Sequence, residues 1–110
     1  MATKQSAKSK MVKVCVYLVQ NDEMEPRLMK WDIAYLDEHA NPDPGDVVLA
    51  KEPVTGRYVL REYAPLLPGD PRAPGYRLLS TKPCYKEIVS TSRKPFELVG
   101  KVTGRYRKCV

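Results

Sequence analysis

Ten prolines in 110 residues leave this chain little room for helices. Proline fixes φ and removes a backbone donor, so it interrupts a helix interior and a central strand alike. Eight of the ten fall between residues 42 and 83, with Gly45, Gly56, Gly69 and Gly75 among them. The runs between these breaks are short and rich in β-branched and aromatic residues, including most of seven tyrosines. No segment keeps a helical period, and nothing repeats. The chain therefore reads as short strands joined by turns.

Taken in order, Val12 to Val19 alternate as a first strand, and Asn21 to Pro26 form a polar turn. Trp31 to Asp37 is a second strand, and Glu38 to Gly45 a loop. Gly45 to Ala50 starts a third strand, Pro53 to Gly56 punctuates it, and Arg57 to Tyr63 returns as a hairpin. Pro65 to Gly75 is a long turn-rich excursion. Tyr76 to Ser80 is a short strand, Lys82 to Tyr85 a turn, and Phe96 to Val102 a strand that extends toward Tyr106. The expected architecture is all-β, with about seven short, mostly antiparallel strands in a sandwich or partly open barrel. One core is expected, built from the apolar faces of Val12–Val19, Ile33–Leu36, Val47–Leu49 and Leu98–Val102. Ser80, Ser90 and Ser92 read as turn or surface residues.

The length fits one domain. Residues 1–11 carry no large apolar residue before Met11, which predicts a disordered basic tail ahead of a β domain over 12–110. The net charge is +6. Lys4, Lys8 and Lys10 in the tail can touch nucleic-acid phosphates weakly and without sequence preference, or can simply solubilise the arm. Cys15, Cys84 and Cys109 are widely spaced, and His39 is the lone histidine, so neither a metal site nor a cofactor is expected. No run approaches the roughly 20 apolar residues that cross a bilayer, and no secretion signal stands at the start. A reduced, cytoplasmic protein is the expectation.

The polar turn carries more information than its composition. Asp22, Met24, Glu25, Pro26 and Leu28 fit a pattern of small residue, polar residue, Ser, Met, Glu-Pro and Leu. This resembles the nucleophile loop of the LexA/UmuD/phage-repressor family of self-cleaving serine-lysine peptidases, which share a fold with signal peptidase. Trp31 to Asp37 resembles the family's next strand. Pro44 to Ala50 matches the strand after that, and Tyr58 to Tyr63 lies where the family carries its catalytic lysine. Tyr76 to Leu79 with Pro83 and Tyr85, and Leu98 to Val102, match the later segments in order.

At the serine's place stands Glu23, and at the lysine's stands Arg61. The resemblance thus implies no catalytic residues here, and it puts Glu23 and Arg61 face to face with two parallel hydrogen bonds. It also implies a homodimer through Phe96, Leu98, Val99, Val102 and Tyr106. The first glycine is Gly45, so the Ala-Gly or Cys-Gly bond that family members cut is absent upstream of Glu23. Eleven residues before the first strand hold no helix-turn-helix, which fits an excised C-terminal domain or a free-standing relative. The function implied first is a non-cleaving dimerisation domain in transcriptional control, of phage or mobile-element origin, with a repressor as protein partner. The alternatives are a UmuD-like accessory subunit of a translesion DNA polymerase, and an active self-cleaving peptidase whose motif falls elsewhere.

Overall fold

A computed structural model of the protein describes residues 14–108. The tail 1–11, with Lys4, Lys8 and Lys10, and Cys109 lie outside the described residues. Seven strands are present: β1 Val14–Leu18, β2 Ile33–Asp37, β3 Val47–Lys51, β4 Tyr58–Pro65, β5 Gly75–Leu79, β6 Ile88–Thr91 and β7 Glu97–Tyr106. The fold is all-β, and its strands form one open sheet in the order β1-β2-β7-β3-β4-β5-β6. Every neighbouring pair runs antiparallel. The expected hairpin is β3–β4, with Leu49 opposite Leu60.

The reading of two strands needs correction. The dimer contact expected on the last strand does not stand at a sheet edge: β7 lies between β2 and β3. Its apolar residues are consequently used inside the fold. Phe96 packs against one core cluster, while Val99 and Val102 pack against another. Of the five side chains expected at a dimer contact, Leu98 and Tyr106 remain exposed, at 36% and 53%. The second correction is β6, which the sequence reading passes over. Ser90 sits in that strand and is buried, and its hydroxyl accepts the Phe96 N–H at 2.8 Å.

The core is two clusters and not the single one expected, because β3 is covered on both faces. Its residues Val47, Val48, Leu49 and Ala50 are all buried. Successive side chains on a strand point to opposite faces. Val47 and Leu49 accordingly join Val19, Met24, Leu28, Ala34, Leu36 and Leu60 in one cluster. Val48 and Ala50 join Val59 and Leu78 in the other. Burial of such side chains contributes about 1.5–3 kcal/mol each. Gly75 lets β5 approach β6, since a Cβ there would lie 2.2 Å from the Ser90 carbonyl oxygen.

The β1–β2 connection shows one strained residue. Trp31 has φ 76°, although its side chain is bulky. Left-handed backbone disfavours such residues by about 1–2 kcal/mol. The conformation is held by hydrogen bonds from Trp31 N to Val19 O at 2.7 Å and from Val19 N to Asp32 O at 2.9 Å.

Leu78 is fully buried, and Val54 is 87% exposed. Leu78→Ala is expected to lower unfolding free energy by about 2–5 kcal/mol in urea titration. Val54→Ala is expected to stay within about 0.5 kcal/mol of the parent.

Candidate functional site

The loop from Asn21 to Trp31 is pinned from below and gripped from above. Met24 and Leu28 enter the first core cluster, at 1% and 3% exposure. Leu28 N donates to Met24 O at 3.0 Å, and Glu23 N donates to Asn21 Oδ1 at 3.1 Å. With the apolar side chains drawn inward, Asp22, Glu23 and Glu25 stay half-buried along the loop's other side. Pro26 is exposed.

The segment that follows β5 supplies the grip. Ser80 Oγ donates to the Glu23 carbonyl, and Thr81 N donates to the same oxygen at 3.2 Å. Thr81 Oγ1 also donates to Glu25 O at 2.5 Å. Lys82 Nζ lies 2.7 Å from Asp22 Oδ2 and 3.7 Å from Glu25 Oε1. The Tyr85 hydroxyl donates to Asp22 Oδ1 at 2.5 Å. The Lys82 ammonium, and then the Tyr85 hydroxyl, hold the Asp22 carboxyl below the usual carboxylate range. The same contact with Asp22 raises the Lys82 pKa, which keeps its amine charged.

Glu23 and Arg61 meet. Arg61 Nε donates to Glu23 Oε1 at 2.6 Å, with side-chain exposures of 6% and 17% for Arg61 and Glu23. The expected fork of two parallel bonds is not made. Arg61 Nη1 instead donates to the Lys86 carbonyl at 2.9 Å and lies 3.5 Å from that of Leu78. The guanidinium carbon stands 5.9 Å from the Tyr85 ring centre. One buried side chain from β4 therefore ties together the loop, the end of β5 and the segment leading to β6.

The family described as Peptidase S24-like matches residues 2–103. The chain belongs to this family. No curated protein matches it. In this S24-like chain the loop carrying Asp22, Glu23, Met24, Glu25 and Pro26 and the strand carrying Arg61 come together, as the resemblance implies. Sequence reasoning missed the partners from the 80s segment. Ser80, read as a turn or surface residue, is half-buried, and its hydroxyl is used twice: it also accepts Lys82 N at 3.0 Å. The signal available was three acidic residues in four positions, 22 to 25, which need cations or donors once half-buried. Lys82 and Tyr85 were the polar candidates next to an expected strand end.

A second ion pair closes the loop's far end. Asp32 is 1% exposed and takes a two-pronged contact from Arg107, with both distances 2.8 Å. It also accepts Met29 N at 2.8 Å. Arg107, chiefly, lowers the Asp32 pKa. Elsewhere, the Cys15 thiol donates to Glu38 Oε2.

Removing Glu23 leaves the Arg61 charge buried and short of its anion. Glu23→Ala is expected to destabilise by about 3 kcal/mol in urea titration. Arg27→Ala, which breaks the exposed Arg27–Glu62 pair at 3.1 Å, is expected to change stability by less than about 1 kcal/mol.

Among the aspartates whose pKa is lowered, Asp22 and Asp32 stand at the two ends of this loop, and their folded pKa values lie below their unfolded ones. Their contribution is present above the unfolded aspartate pKa and is lost as pH falls through the folded values. Stability measured from neutral pH downward is expected to fall on the acid side. Asp32→Asn is expected to flatten that fall, and an unchanged acid limb would remove Asp32 from the account.

Proposed function

We propose that this S24-like chain is a non-cleaving member of its family. In this reading it is a dimerisation and protein-interaction domain in transcriptional control, of phage or mobile-element origin. The observation that carries the reading is the ion pair at the two positions where the resemblance expects the dyad. Serine-lysine chemistry needs a hydroxyl beside an amine that can surrender its charge. Glu23 has no hydroxyl, and attack by its carboxylate on a peptide would give an anhydride. Arg61 stays protonated in proteins and cannot act as the base.

The neighbouring hydroxyl and amine do not substitute for them. The Ser80 hydroxyl donates to the Glu23 carbonyl, and the Lys82 ammonium is held charged by Asp22. Residues 1–44 contain no glycine, so the bond type that the family cuts is absent upstream of Glu23 in this sequence.

Self-association in this reading uses the outer face near the β1 edge. Val16 and Tyr35 are register partners, exposed at 60% and 38%. Leu18 and Tyr106 each pair with Ile33 and are exposed at 44% and 53%. Such a face favours a partner over water. The partner in regulation is a repressor.

The test is incubation of the purified chain at alkaline pH, alone and with an activated recombinase filament. No fragments are expected from the parent, from Glu23→Ser, or from Glu23→Ser with Arg61→Lys. Fragments from the parent would overturn the non-cleaving reading. Light scattering is expected to give a dimer at micromolar concentration, and a monomer at high micromolar concentration would overturn the dimer.

A further inference from the structure

Stability does not account for Trp31. Its backbone lies in a region that glycine enters freely and bulky residues avoid. Its indole is 63% exposed, so little burial offsets the strain. The ring instead walls a hollow of about 430 Å³, shared with Met29, Lys30, Asp32, Arg107 and Lys108. Lys30 Nζ stands 5.1 Å from the indole centre. Arg107 is engaged with Asp32, the one carboxylate of the hollow, which is buried beneath it. Lys30 and Lys108 are both exposed at the rim of the hollow.

An exposed indole with a lysine ammonium over one face, a second exposed lysine in the same hollow, and the nearest carboxylate buried and paired selects its ligand by two properties. The ligand must be flat and apolar where it meets the ring, and anionic on either side. A second copy apposed through the same hollow fits poorly, because it would set identical cations against these. A strand of unpaired nucleotides has both properties: stacking tolerates any base, and the phosphates recur on each side of it.

We propose that the Trp31 hollow binds single-stranded nucleic acid, with one base stacked on the indole and adjacent phosphates on Lys30 and Lys108. The binding is tolerant of sequence, since stacking and charge do not distinguish bases well. It does not depend on whether the chain cleaves itself.

Trp31 is the chain's single tryptophan, so its fluorescence reports from the site. Titrating the full chain with an oligothymidylate of about a dozen nucleotides at low salt is expected to quench that fluorescence saturably, as contacts with a few bases need no longer strand. In anisotropy with a labelled oligonucleotide, Trp31→Gly is expected to weaken binding about tenfold or more, as loss of one stacking platform implies. Trp31→Phe, which keeps a ring, is expected to retain most of the affinity. Circular dichroism checks that each variant is folded. Lys30→Ala with Lys108→Ala is expected to reduce the log–log salt slope by about 1.4, the value for two single-strand phosphate contacts.

Three results would overturn the proposal. The first is no quenching. The second is binding that both Trp31 variants leave unchanged, which would assign it to the basic residues at 1–13. The third is equal quenching by polyglutamate, which would make the hollow a site for acidic peptide.

Discussion

A guanidinium removed from water must be met by acceptors from several directions at once, and Arg61 is so placed. Its exposure is 5%, yet no buried side-chain nitrogen or oxygen among the described residues lacks a partner. Glu23 answers it from the loop, Lys86 from the segment before β6, and β5 closes beside it through Leu78. The attraction within such a group is largely cancelled by desolvation, so its effect on total stability is small. Its effect on position is larger. Each partner has one place to stand, and the loop, the hairpin and the 80s segment are fixed relative to one another as a result.

Glu23 and Arg61, brought together from the loop and from β4, form a tie. The same loop is then held a second time, by Ser80, Thr81, Lys82 and Tyr85, through contacts to Asp22 and to the carbonyls of Glu23 and Glu25. Met24 and Leu28 hold it a third time through the core. Three independent restraints on about ten residues leave the loop little freedom to rearrange.

Much of this was legible in the residues. Proline placement excluded long helices, and β-branched runs located six of the seven strands. The Glu23–Arg61 contact was implied only by the resemblance of the Asp22 to Leu28 loop and the Tyr58 to Tyr63 strand to the family's motifs. What was not legible has definite physical reasons. β6 is four residues long and lies among serines, threonine and lysine, so its alternation is too brief to register. Strand order is a property of the whole sheet, and no local signal in 97–106 says that this strand inserts between two earlier ones. The single bond from Arg61 to Glu23, in place of a fork, depends on carbonyls at 78 and 86 whose direction no side-chain pattern encodes. The strain at Trp31 is equally silent, since tryptophan gives no warning of a left-handed backbone.

The place of β7 bears on how the chain is made. β2 and β3 do not pair with each other; β7 joins them, with Leu36 opposite Val102 on one side and Leu49 opposite Gly100 on the other. A chain emerging in order can form β1–β2 early, and β3 through β6 soon after, because each of those pairings is between sequence neighbours. The two pieces have no common ladder until residues 97–106 are free to enter between them. Until then two ladders that later lie inside the sheet, one on β2 and one on β3, are open edges. Joining them requires contacts that span much of the sequence, and contacts of that kind slow folding. The interval before β7 docks is therefore when this protein is most open to pairing with the wrong strand, and cellular protection during synthesis would matter most there.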